Sequence, residues 1–196
     1  MWIIVGAMER FETLEMAAGE FAKRLRVITP EQWSLPTPCS EFTVRQLAEH
    51  VVGGNRMAAI LVKGGSREES LAPFKTDVLG AKPTEAFNGS FRTMFDAMKR
   101  PGALDQIVHH PMGDIPATQL FGFRMGDLAL HAWDLARAIG ADESLNAELV
   151  ETLWTQISPM KPMIAHTGVF GDGPSGKVGD DAPLQTQLLD LTGRRP

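Results

Sequence analysis

The stretch 123–140, FRMGDLALHAWDLARAIG, carries four chemically able side chains at helical steps. Arg124, Asp127, His131 and Asp134 are separated by three, four and three residues. At about 100° per residue, that spacing draws one polar stripe along an α-helix. Asp127 and His131 stand one above the other, so a carboxylate and an imidazole can reach a single metal ion. The rest of the segment is apolar almost all round, with Phe123, Met125, Leu128, Leu130, Trp133, Leu135 and Ile139. A polar stripe on such a helix calls for partners inside the protein.

A third donor has to come from another element. In TVRQLAEHVVGGN the core stripe is Val44, Leu47, Val51, Gly54 and Ala58, and His50 lies at its edge or within it. Gly54, one turn further on, leaves space beside the imidazole for a ligand or a close helix approach. His50, Asp127 and His131 would make a set of two histidines and one carboxylate. That set suits a divalent transition metal with at least one open position. Spacing alone keeps plainer readings open. Acid–histidine pairs four apart are also common on solvated helix faces, and a single histidine on an apolar stripe is commonly a core residue bonded to a carbonyl. Arg124 and Asp134 read either as groups that orient the ligands or as partners of each other across the surface. Trp133 reads as core. His109 and His110 adjoin a proline in a short extended piece, where one of the two must point away. His166 reads as a loop residue. Cys39 reads as a passive loop thiol, about two turns or roughly 10 Å along the axis from His50.

These residues need helices to hold them, and the sequence supplies a set. Residues 8–26 repeat Phe11, Leu14, Ala18, Phe21 and Leu25 at steps of three and four. A proline-rich loop at 27–42 follows. Thr43 with Gln46 three residues later is a capping-box pattern, with Phe42 and Leu47 placed as a hydrophobic staple. The helix it opens runs to about 63, where KGGS stops it. Residues 64–82 read as irregular and mobile. Pro83 opens a third helix with Phe87, Phe91, Met94, Phe95 and Met98 on one stripe, and RPG closes it at 100–102. An extended piece in the 100–116 loop precedes the helix at 117–139, which Gly140 closes. A fifth helix is expected at 144–158, then loop until LQTQLLDL. The sum is an all-α protein: a four-helix bundle with long loops and an additional C-terminal helix. A single domain over 1–196 is expected, with 1–7 a possible disordered extension and 160–196 a loop-rich tail packing on the bundle.

Composition narrows the function. The 196 residues are 43% hydrophobic and carry a net charge of −5 with no basic block. That argues against nucleic acid or an anionic membrane as partner and leaves a small-molecule substrate. No apolar run approaches the roughly 20 residues of a bilayer span. The opening MWIIVGAMER lacks a basic start and a cleavage site, so it is not read as a signal peptide. One cysteine excludes an internal disulfide and suits the cytoplasm.

LAEHVVGGN and LALHAWDLARAIG resemble the two signature helices of the DinB-like metal-binding superfamily. WSLPTPCSEFTVRQLAEHVVGG and DAPLQTQLLDLTGRRP resemble the start and end of its actinobacterial, mycothiol-dependent maleylpyruvate isomerase-like branch. The resemblance covers nearly the whole chain. It implies a DinB-like four-helix bundle with one divalent metal, zinc foremost and nickel or another transition metal as the alternative. It carries the family's ligands to His50, Asp127 and His131. The isomerase proper has Glu where this chain has Asp127, so the shorter side chain implies a shifted metal or a bridging water. The stripe then faces inward, toward His50.

The reaction implied is that of a metal-dependent enzyme using a mycothiol-type thiol, either a transferase or an isomerase. The alternatives are a metal-dependent hydrolase, with Asp134 as the one evident general base, and a non-catalytic bundle. The latter would store or sense a small ligand, or form a homodimer around a structural metal. Because both histidines must be neutral to ligate, metal affinity is expected to fall as pH drops through about 6.5. Bound metal titrated at limiting concentration reads this; occupancy flat to about pH 5 would mean that other ligands dominate.

Overall fold

The computed structural model describes residues 7–167, 170 and 173–196. Contacts gather them into two compact units: Ala17–Glu143, and the residues up to Met16 with Ser144–Pro196. Helix α1 (Ala7–Leu25) runs through the division between them. Of the extension expected at 1–7, residues 1–6 lie outside the described residues, and Ala7 is the first residue of α1.

In the larger unit the part of α1 from Ala17 onward is joined by α2 (Val44–Val62), α4 (Pro83–Lys99) and α5 (Ala117–Ile139), and these are the four helices of the expected bundle. Each buries the stripe its periodicity marks. Leu14, Ala18, Phe21 and Leu25 of α1 are buried, as are Val44, Leu47, Val51 and Ala58 of α2. α2 packs against both α4 and α5, and the Phe21 and Phe87 rings meet 4.9 Å apart between α1 and α4. α5 is buried nearly all round: Leu120, Met125, Leu128, Ala132, Trp133 and Leu135 are each at most 1% exposed. Pro116 precedes its first turn, and Gly140 ends it in the left-handed region at φ 68°, which a residue with a Cβ would enter only at a cost.

The start of α2 matters most, because α2 carries His50. The Thr43 side chain accepts from the Gln46 N–H, and the Gln46 side chain accepts from the Thr43 N–H at 2.9 Å. The reciprocal pair satisfies two amides that the helix itself cannot.

The segment 64–82 differs from its expected irregularity. Ser66 and Glu69 form a second capping box and open a short helix, α3 (Arg67–Leu71), which continues into a 3-10 turn at Ala72–Lys75. Five residues are too few for a periodic stripe to show, so only the Ser-x-x-Glu signal could have revealed it. The 100–116 loop contains an antiparallel hairpin, β1 (Ile107–His110) and β2 (Gly113–Pro116), a small addition to an otherwise helical fold. As strand alternation requires, His109 is exposed beside Asp114 at 2.9 Å, while His110 is buried and its Nδ1 accepts from the Met112 N–H.

In the smaller unit α6 (Ala147–Ile157) packs against α8 (Leu184–Leu191). Between them lies α7 (Lys161–Thr167), where continuous loop is expected from the sequence. His166 is therefore helical, not a loop residue. The interrupting Pro162 and the Gly-rich run after it hide this helix from a sequence reading, although proline fits a first helical turn. Among the described residues, no helix is long and apolar enough to cross a membrane.

Thr43→Ala removes the α2 cap and is expected to cost about 0.5–2 kcal/mol. In a chain of this size that is a fall of about 2–4 °C in Tm for each kcal/mol, with Thr43→Ser keeping the wild-type value. An unchanged melt for the alanine variant would show that packing alone holds the helix start.

Candidate metal centre

α2 and α5 bring His50, Asp127 and His131 together. Asp127 Oδ1 lies 3.1 Å from His50 Nε2 and 3.2 Å from His131 Nε2. The three donor atoms fall within 4.8 Å of one another. Ligands at about 2.0–2.1 Å around a tetrahedral ion stand about 3.3 Å apart, so the two oxygen–nitrogen separations suit one ion after shifts of a few tenths of an ångström. The His50 ring meets His131 edge-on at 5.1 Å, stacks on Phe42 at 5.3 Å and has Phe74 at 6.3 Å. Its side chain is 33% exposed against 9% for His131. The cluster therefore opens to solvent most at His50 and is closed at His131.

The other two stripe residues do not pair with each other; each contacts a member of the cluster. Arg124, 4% exposed, donates from Nη1 to Asp127 Oδ2 at 2.9 Å. Its Nη2 donates to the Val51 carbonyl at 3.2 Å and to Asn55 Oδ1 at 3.0 Å, both on α2. Asn55 in turn donates to Ser90 of α4. Asp134, fully buried, places Oδ2 2.8 Å from His131 Nδ1. The reading of Arg124 and Asp134 as a surface pair is thus corrected: both side chains are buried, and each is bonded to a member of the cluster.

The space at Gly54 is also taken. A Cβ there would collide with Arg124 Nη1, so the missing side chain admits the guanidinium and not a ligand beside His50. The expected close approach between helices is present, with Arg124 filling it.

Residues 14–136 match the mycothiol maleylpyruvate isomerase N-terminal domain. The chain belongs to this family. An uncharacterized protein of Mycobacterium tuberculosis, present in two strains, is 30% identical over 174 residues, covering 86% of this chain and 85% of the relative. The fold is similar to the crystal structure of the mycothiol-dependent maleylpyruvate isomerase, with TM-score 0.60, 16% identity, and 86% of this chain and 76% of that one covered. A histidine-to-alanine mutant of that enzyme gives TM-score 0.64 at 15% identity, over 80% of this chain and 71% of that one. At such identities the likeness is one of fold.

In this family member the electrostatics of the cluster follow from burial and pairing. Burial opposes charge on Asp127, but Arg124, His131 and His50 outweigh it and hold the carboxyl well below its ordinary range. Burial likewise opposes charge on His131, yet the Asp127 and Asp134 carboxylates hold the imidazole well above 6.5. Without metal, the Asp127 charge therefore stabilises the fold above its unfolded-state range near 3.9, a contribution lost as pH falls through the depressed folded value. His131 stabilises fully below about 6.5, and its contribution is lost as pH rises through the raised value.

One residue of this neighbourhood escapes the sequence reading. Cys39, expected to be a passive thiol two turns from His50, has Sγ 3.3 Å from Asp134 Oδ2 and 3.9 Å from His131 Nδ1. The loop at 35–43 does not continue the α2 axis. It folds back through a bridge between Pro36 and Thr43, so spacing along the helix axis misleads. The only local signal was a cysteine just before a capping box.

Gly54→Ala is expected to push Arg124 away from Asp127 at a cost of about 1–3 kcal/mol. A urea unfolding midpoint reads the cost. The Asp127 carboxyl titration in metal-free protein, followed by carbon NMR, should then move up toward ordinary values. A midpoint that stays put would show that the histidines alone depress it.

Proposed function

We propose that this chain holds one divalent ion, zinc foremost, through His50, Asp127 and His131, and uses it in isomerase or S-transferase chemistry with a mycothiol-type thiol. The observation that carries the reading is one carboxylate oxygen, Asp127 Oδ1, placed 3.1 and 3.2 Å from two imidazole nitrogens on facing helices. Family membership and the fold of the mycothiol-dependent isomerase support it. Asp127 Oδ1 reaches both histidines itself, so the shorter carboxylate needs no bridging water. Such an ion, when bound, supplies an open position and the positive charge that acidifies a thiol there.

The chain's own residues prepare that chemistry. Arg124 occupies Asp127 Oδ2 and leaves Oδ1 as the one oxygen turned to the histidines. A single donor oxygen leaves room for an exogenous ligand. Asp134 accepts the Nδ1–H of His131, which fixes the ring and turns the Nε2 lone pair toward the ion's place. Phe42 flanks the half-exposed His50 and keeps water from that side of the ring, while the exposed edge remains the way in. Asp134 is committed to His131 and Cys39 and is fully buried, so it does not stand where a hydrolase needs its base.

Protein purified without chelator should carry one divalent ion per chain, and His50→Ala should lose it with helical circular dichroism unchanged. Thiol use is read on cobalt-substituted Cys39→Ser protein, so that any sulfur signal comes from added thiol. Mycothiol, or a simpler thiol at higher concentration, should bring up a sulfur-to-cobalt charge-transfer band, and conjugation of mycothiol to a chloroarene or epoxide should follow. A spectrum indifferent to every thiol tried would remove the thiol-dependent reading and leave the non-catalytic bundle.

A further inference from the structure

His131 offers its two ring nitrogens to two different sets of donors. Nε2 faces Asp127 and His50, the set described above. Nδ1 faces Asp134 Oδ2 at 2.8 Å and Cys39 Sγ at 3.9 Å, and those two lie 3.3 Å apart. We propose that Cys39, Asp134 and His131 Nδ1 form a second metal seat, one that takes soft, thiophilic cations and excludes occupation of the first.

The geometry allows it. For an ion of zinc's size, with bonds of about 2.3 Å to sulfur and 2.0–2.1 Å to nitrogen and oxygen, tetrahedral donors stand about 3.5 Å apart for pairs with sulfur and about 3.3 Å for nitrogen with oxygen; a larger ion such as cadmium needs a wider opening. Seating an ion needs the nitrogen–oxygen pair to open by about 0.5 Å and the sulfur pairs to shift by less. The donors are also held in place. His131 and Asp134 lie within one turn of a buried helix. Cys39 sits in a loop closed on itself, where the Thr37 hydroxyl donates to the Cys39 and Phe42 carbonyls at 3.0 and 2.8 Å, and the Phe42 N–H donates to the Cys39 carbonyl at 2.8 Å.

Charge and softness separate the two seats. At the first, the one carboxylate is neutralised by the Arg124 guanidinium, and the other donors are neutral imidazoles. At the second, a thiolate joins the Asp134 carboxylate, whose Oδ2 lies 2.8 Å from His131 Nδ1 and 3.3 Å from Cys39 Sγ. A doubly anionic set containing sulfur prefers a soft cation, whereas imidazole and carboxylate suit a borderline one.

Exclusivity comes from the ring. A neutral imidazole has a lone pair on one nitrogen and a proton on the other. When an ion sits on Nδ1, the thiol proton leaves to solvent and the ring keeps a single proton, on Nε2, any second ring proton also leaving to solvent; Asp127 Oδ1 accepts the Nε2 proton at the observed 3.2 Å. His131 is then withdrawn from the first seat. This exclusivity, though not the second seat itself, rests on the metal reading above.

Cadmium is the probe. Titrated into metal-free protein, it should raise the ultraviolet thiolate-to-cadmium charge-transfer band, saturating at one ion per chain. The band should be absent in Cys39→Ser, which must keep its helical circular dichroism and its zinc. It should persist in His50→Ala, which lacks the first seat. In zinc-loaded protein each cadmium bound should release one zinc. Cadmium bound by the wild type without the band would overturn the seat. Loss of the band in His50→Ala would overturn it too, because the thiol would then only supplement the first set. Cadmium and zinc held together would refute the exclusion. A wild type that shows the band yet never binds zinc would sink the first reading and leave this seat standing.

Discussion

The structure around the site depends on one half-buried negative charge. Asp127 faces the bundle interior, where an uncompensated carboxylate would be strongly disfavoured. Arg124 on the same helix compensates it from Oδ2, and the two imidazoles approach Oδ1. The arrangement divides the carboxylate: one oxygen meets the guanidinium and the other the two imidazoles. Three of its neighbours can carry positive charge, and for that reason the carboxyl stays ionised despite burial.

That charge also dictates how two helices meet. Arg124 can reach Asp127 and the α2 backbone together only because α2 has no side chain at Gly54. The guanidinium then ties α5 to the Val51 carbonyl and to Asn55, and Asn55 continues to Ser90 on α4. A polar chain therefore crosses three helices of the bundle through its otherwise apolar interior. Its links are hydrogen bonds from both Arg124 terminal nitrogens and from Asn55, while the buried Arg124 Nε has no hydrogen-bond partner among the described residues. This tie joins α5 to α2 one turn from His50.

The far face of His131 obeys the same logic with a different partner. Asp134 is fully buried and meets an imidazole N–H and a thiol. The ring is thus clamped between two carboxylates of its own helix, three and four residues away, and its orientation is fixed before any ion arrives. The thiol reaches this place because the loop at 35–43 turns back over the end of α2, held by the Thr37 hydroxyl. The same loop delivers Phe42 to the face of His50. One short segment therefore finishes both sides of the cluster.

The sequence by itself determined what is local and periodic. The stripes of α1, α2, α4 and α5, the Thr43 capping box, the Gly140 stop and the alternation of His109 and His110 all follow from steps of three, four or two along the chain. So does the fact that Arg124, Asp127, His131 and Asp134 share one face of a buried helix. Short elements such as α3 and α7 escaped, because a stripe needs more than two turns to declare itself. Only the tertiary structure decided which carboxylate faces which ring nitrogen, that Arg124 and not a ligand fills the gap at Gly54, and that Cys39 stands beside His131. Each of these is a distance between segments far apart in the chain. Such distances are set by how whole helices pack and by how a loop returns on itself, and no spacing within one segment encodes them.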